Sequence, residues 1–161
     1  MDAVRYVINC TVLSNFATVD RIDLLRIVSE GMAATTEHVI QEFEAGVLQG
    51  YFGKISLEWL PVLAMTPEEE KTFEVIASRL GSGEASCLAI AQHRGAMIWT
   101  DDGDARRYAR QSGVPVTGTL GILVRLVQNG PLSLDEANLL LAEMVKHGYY
   151  SPVTDLSLLL S

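Results

Sequence analysis

The chain has 161 residues, 48% of them hydrophobic, with 20 acidic against 12 basic side chains and a net charge of −8. That suits a single domain over residues 1–161 with a well-filled core, and it argues against a protein that grips nucleic acid through a general basic surface. No apolar run reaches the roughly 20 residues of a membrane span, and MDAVRYVINC lacks the basic and apolar regions of a secretory signal, so a cytoplasmic location is expected.

VRYVIN (4–9), apolar and β-branched, predicts a buried strand, and CTVLSNFATV (10–19) a short helix after it. Asp20 is expected to cap a second helix, RIDLLRIVSEG (21–31), ended by Gly31. MAATT (32–36) predicts a second strand. TEHVIQEFEAGVLQG carries Val39, Ile40, Phe43, Val47 and Leu48 at helical spacing. LEWLPVL (57–63) predicts a third strand, with Pro61 marking an edge or an end. Thr66, Pro67 and Glu69 form a capping box that opens the next helix. GSGEASCLAIAQHRG (81–95) predicts a helix between glycine stops, and AMIWT (96–100) a strand. DDGDARRYARQSG (101–113) predicts a helix, VPV (114–116) a short strand, and GTLGILVRLVQNG (118–130) a further helix. Ser133 and Glu136 form a second capping box, on a helix running to Gly148, and SPVTDLSLLLS predicts a short final helix. Strands alternating with helices imply a three-layer α/β/α sandwich around a mainly parallel sheet.

The two cysteines, Cys10 and Cys87, have no CxxC partner and no His at zinc spacing, so they read as buried free thiols in a reducing compartment. Trp59 and Trp99 lie within apolar runs and read as core. His38, His93 and His147 are scattered and read as solvent-facing or core-edge. GSG lacks the spacing of a phosphate-cradling loop.

In open α/β sheets, ligands gather beyond the carboxyl ends of the strands. Asn9 ends the first strand. Asp101, Asp102 and Asp104 follow AMIWT, and Thr117 and Thr119 follow VPV. Glu42 lies on the helix after the second strand, and Glu84 in the first turn of the helix before AMIWT. Carboxylates and an amide oxygen converging on one point make a hard-oxygen site suited to Mg²⁺ or Mn²⁺, which would relieve the repulsion among neighbouring aspartates. Each residue also has a structural use. The three aspartates and Glu84 can favour helix N-termini through the macrodipole. Glu42 and Glu44 can be solvated helix acids, and Asn9 can be a helix cap.

The order of these pieces carries a resemblance. "NCTVLSNFA", "HVIQEFEAG", "GEASCLAIA", "IWTDDGDAR" and "GVPVTGTLGIL", in that sequence over roughly residues 4 to 130, resemble the PIN-domain family, especially its small prokaryotic branch that includes toxins of toxin–antitoxin pairs. The resemblance implies a metal-dependent ribonuclease fold with Mg²⁺ or Mn²⁺ held by three or four acids. Carried over by position, these fall on Asn9, Glu42, Glu84 and Asp102, with Asp101 and Asp104 as neighbours able to share the last role. Thr11 takes the hydroxyl position after the first acid. Arg106, Arg107 or Arg110 would contact the RNA backbone, at least two of them reading equally as arginines on a solvated helix face, and Thr117 and Thr119 would lie on the substrate side. Asn9 departs from the aspartate of most active members. It keeps a ligating oxygen but removes one negative charge, which favours an alternative: a catalytically silent module that binds RNA or a protein partner. A receiver-type acidic domain is a third reading, disfavoured because the first strand ends in Asn9-Cys10 rather than in paired acids. The apolar helices beyond residue 118 are expected to serve core packing first, and a homodimer or antitoxin contact second.

Overall fold

Tyr6–Ile8 (β1) is buried on both faces, as befits a continuous apolar run in a parallel sheet. The computed structural model describes residues 3–160. Four further strands, Ala33–Thr36 (β2), Val62–Leu63 (β3), Met97–Trp99 (β4) and Val116–Thr117 (β5), complete a parallel sheet of order β3-β2-β1-β4-β5. The eight helices among the described residues are Cys10–Thr18 (α1), Ile22–Ser29 (α2), Glu37–Leu48 (α3), Pro67–Ala77 (α4), Ser82–Arg94 (α5), Gly103–Gln111 (α6), Thr119–Asn129 (α7) and Leu134–Lys146 (α8). They flank the sheet and make the expected three-layer α/β/α sandwich. Ala85 to Ala91 on α5 are all buried, and their mostly small side chains let this helix pack against β1, β2 and β4. No helix among the described residues is long and apolar enough to cross a membrane.

The chain builds outward from β1 through β2 to β3, then returns to the other side of β1 for β4 and β5. The winding therefore reverses between β1 and β4, and a crevice opens beyond their carboxyl ends. This topology positions everything in the candidate site.

Three local expectations are corrected. Only Val62–Leu63 of LEWLPVL is strand; Leu57 to Leu60 closes as a turn, with the Leu60 amide donating to the Leu57 carbonyl (2.9 Å). Pro61 has no N–H, so β3 sits at the sheet edge, where the Pro61 carbonyl still accepts from Thr35 (2.9 Å). Trp59 is consequently only half-buried, whereas Trp99 is fully buried. Asp20 does not cap α2: it occupies a left-handed turn (φ 55°), and Arg21 is the N-cap residue, without a side-chain cap. The short strand is shifted from VPV to Val116–Thr117. Both capping boxes form. The last helix is a single 3₁₀ turn, Leu156–Leu159. On α7, Ile122, Leu123 and Leu126 are core, while Leu139 and Val145 of α8 stay exposed.

Glu69 adds a second role to its capping box. It is 2% exposed and receives both Nε and Nη2 of Arg94 (2.8 and 2.9 Å), while Nη2 also reaches the Ala64 carbonyl. This pair ties α4 to α5. Arg94 holds the Glu69 carboxyl below its ordinary value. The folded state thus gains stability that is complete above the ordinary Glu range and is lost as pH falls through the depressed value. Glu69→Ala is expected to cost about 2–3 kcal/mol, less than a fully buried pair because Arg94 can rehydrate. Urea denaturation at pH 7 checks this, and the deficit should shrink as pH falls below the ordinary Glu range.

Candidate functional site

The crevice is stitched at its base by Asn9. This residue is fully buried and caps α1, its Oδ1 accepting from the Cys10 amide (2.8 Å). Its Nδ2 donates to Thr100 Oγ1 (2.9 Å), and its backbone amide donates to the Trp99 carbonyl (2.9 Å). Asn9 therefore bolts the end of β1 to the end of β4. An Oδ1 with one donor still has a free lone pair.

Glu42 reaches this base from α3. A Cβ at position 83 would collide with Glu42 Oε1 and lie 3.5 Å from Asn9 Oδ1, so only glycine there lets the carboxylate approach Asn9. Its neighbours raise the Glu42 carboxyl above its ordinary value: burial of the group contributes most, then the negative charge of Glu84, and Asp102 adds a smaller share. The neighbouring Cys10 thiol, which contacts Ser14 Oγ (3.6 Å), opposes the shift, and burial pushes that thiol up to about 11, which keeps it protonated. Glu42 is nonetheless exposed at the rim, so the desolvation acts on its carboxylate end, against Gly83 and Cys10. Glu84, in the first turn of α5, turns back against Gly81. Asp102 caps α6, one carboxylate oxygen accepting from Ala105 (2.9 Å). The crevice therefore brings Asn9, Glu42, Glu84 and Asp102 into one electrostatic neighbourhood. Among the described residues no three Asp, Glu, His or Cys side chains stand close enough to share an ion.

Asp101 has a different environment. Its Oδ1 accepts from the Thr119 amide (2.8 Å), and its Oδ2 accepts from Asn15 Nδ2 (3.0 Å) and from the Thr119 hydroxyl. Its own amide donates to Thr11 Oγ1 (2.9 Å). Thr11 and Thr119 thus hold the loop after β4 in place, and Asp101 binds it to α1 and α7. Asp104 is not brought to the crevice: it is exposed and pairs with Arg107 (2.8 Å) beside a groove lined by Val75 and Leu80. Arg106 donates to the Thr100 carbonyl (3.0 Å) and lines a cleft on the far side of Asp101, together with Thr117.

Sequence reasoning missed Thr100, Asn15, Tyr149 and Tyr150. Thr100 is fully buried and accepts from both Asn9 and the Asp102 amide (3.2 Å). Asn15 lies four residues after Thr11, on the same helical face, a spacing visible in the sequence. The tyrosines follow α8 and reach the crevice only through tertiary folding; both line the cleft that holds Cys10, Glu42 and Asp101. Both cysteines are free and buried, as expected.

A family model described as a PIN domain matches residues 5–161. The chain belongs to the PIN-domain family. The chain also shares its fold with the crystal structure of PAE2754 from Pyrobaculum aerophilum, at a TM-score of 0.59 and 20% identity, covering 78% of this chain and 98% of that one. No curated protein matches the chain. PIN domains are usually nucleases, generally use divalent metals and commonly bind RNA. The donor chemistry of the crevice fits such an ion: carboxylate oxygens and an amide carbonyl are hard ligands, and burial, then the negative charge of Glu84, raises Glu42.

Proposed function

We propose that this PIN domain is a cytoplasmic ribonuclease that cleaves RNA phosphodiesters with Mg²⁺ or Mn²⁺. The observation that carries the reading is the approach of the Glu42 carboxylate to the Asn9 amide oxygen over Gly83, with the charges of Glu84 and Asp102 close by. Glu42, Glu84 and Asp102 would hold the ion, with Asn9 as neutral oxygen ligand. When bound, a divalent ion supplies Lewis-acid polarisation of the phosphate and of an attacking water. The chain's own residues set the stage. Asn9 and Thr100 fix the floor of the crevice, while Glu42 and Glu84 project from α3 and α5 and Asp102 from the N-cap of α6, its amide tied to Thr100. Cys10, protonated, lies in the same cleft as Glu42 and adds no charge to it. Arg106 offers a cation to the RNA backbone.

The test is calorimetry with Mn²⁺ together with cleavage of a single-stranded RNA. Micromolar binding and cleavage that EDTA abolishes support the reading. Absence of both overturns it in favour of a silent RNA- or protein-binding module, the reading that Asn9 favours. Asn9→Asp is expected to tighten Mn²⁺ roughly tenfold or more by adding one charge at the floor, since 1.4 kcal/mol suffices for that factor. The Thr100 hydroxyl can reverse to donate to the new carboxylate. Calorimetry on the variant checks it, and unchanged affinity would place the ion away from position 9. The toxin role would require an antitoxin, and a second copy is the other expected partner. Either would leave its mark in gel filtration, where a clean monomer counts against the homodimer.

A further inference from the structure

Two clefts meet at the end of the chain. One, about 310 Å³, is lined by Cys10, Glu42 and Asp101. The other, about 340 Å³, is lined by Arg106, Thr117, Gly118 and Pro152, with Asp101 on the wall between the two. Tyr149 and Tyr150 line both. The two rings differ in kind. Tyr149 is half-buried, and burial, then the charge of Asp101, raises its phenol, with Arg106 opposing. Tyr150 is 87% exposed, in a chain that buries Trp99 and Phe16 completely. Arg106 is held through one Nη1 bond to the Thr100 carbonyl, and among the described residues no carboxylate pairs with it. A Cβ at position 118 would collide with Asp101 Oδ1 and come within 2.9 Å of Arg106 Nη1, so glycine there keeps this cleft open beside the guanidinium.

An exposed ring between a carboxylate cleft and an unpaired guanidinium matches the chemistry of a polynucleotide, which alternates flat bases with single negative charges. We propose that Tyr150 is a stacking platform for an unpaired base and Arg106 the contact for the adjoining phosphate, so that this site selects single-stranded over duplex RNA. The inference deepens the nuclease reading and rests on it for the identity of the neighbouring cleft. A base within a duplex is already stacked on its neighbours and cannot lie on the ring without leaving them. Tyr150 therefore discriminates by strandedness rather than by sequence, because every base has a π-face.

The experiment is fluorescence anisotropy with a short labelled RNA oligonucleotide, alone and annealed to its complement, in Ca²⁺ and over a range of salt. Wild type should prefer the single strand. Tyr150→Ala should weaken single-strand binding about tenfold and leave duplex binding unchanged, while Tyr150→Phe, which keeps the ring, should bind as wild type does. Arg106→Ala should weaken both forms and reduce the salt slope by roughly 0.7, the loss of one phosphate contact on a single strand. Equal affinity for single strand and duplex, no binding at all, or an unaltered Tyr150→Ala overturns the proposal. Mn²⁺ calorimetry on wild type and Tyr150→Ala separates the two readings. If neither binds the ion but the strand preference and its loss persist, the nuclease reading fails and the stacking subsite stands. If both bind Mn²⁺ alike and the strand preference is missing, the subsite fails alone.

Discussion

Asp102→Asn is expected to lower Mn²⁺-dependent cleavage of single-stranded RNA by about a hundredfold to a thousandfold, with the melting temperature kept within about 2 °C of wild type. The substitution separates the two jobs of this residue. As the N-cap of α6, Asp102 accepts from the Ala105 amide (2.9 Å), and Asn caps as well as Asp does. As a charge, it contributes to the field that raises Glu42, and Asn cannot. Asp102→Ala would confuse the two by adding a capping loss of about 1 kcal/mol. Steady-state cleavage and thermal melting on the same preparation decide the matter, and undiminished cleavage by Asp102→Asn would remove Asp102 from the site. The charge also has a signature without RNA or metal. Glu42 is raised above its ordinary value, so its contribution to stability is complete below the ordinary Glu range and is lost as pH rises through the raised value. Part of that shift comes from Asp102, so the pH window over which the metal-free protein loses stability should narrow in the variant.

How much of this was visible in the sequence depends on the range of the interaction involved. Capping boxes are local, and both formed where Thr66–Glu69 and Ser133–Glu136 predicted them. The alternation of apolar strands with helices implied a parallel sheet and placed Asn9 and the aspartates at strand ends, but the reversal between β1 and β4 is a matter of strand order that no local pattern encodes. Asp20 failed as a cap because its side-chain chemistry was read without its backbone: a left-handed φ leaves the capping geometry to Arg21. LEWLPVL has strand composition, but Pro61 lacks an amide hydrogen and sits at the edge, so pairing was left to two residues. Among the aspartates, sequence alone could not divide three neighbours into roles. A turn of backbone sends Asp101 toward α1 and α7, Asp102 onto its own helix amides and Asp104 out to Arg107. The tyrosines were invisible because nothing local marks Tyr149 and Tyr150; only the packing of α8 against α1 and α7 returns them to the crevice.

Asp101→Ala should do the reverse of Asp102→Asn: a large loss of stability, with the ion site retained while the fold lasts. Its carboxylate accepts from the Thr119 amide, the Thr119 hydroxyl and Asn15 Nδ2. Thr119 is fully buried at the start of α7, so truncation leaves a buried amide and hydroxyl without their acceptor. A hydrogen bond to a charged group contributes roughly 1.5–3 kcal/mol, and three that share one carboxylate are not additive, so the expected cost is about 3–4 kcal/mol. For a domain of this length that corresponds to a melting temperature lower by about 10 °C. Asp101→Asn should cost about half as much, because its carbonyl keeps accepting from the Thr119 amide while the hydroxyl reverses to accept from the new NH₂ group. Mn²⁺ calorimetry at 10 °C below the variant's transition should then return an affinity close to wild type, since the Asp101 oxygens already have their donors. A variant that melts normally but no longer binds the ion would reverse this division, making Asp101 the ligand and Asp102 the cap.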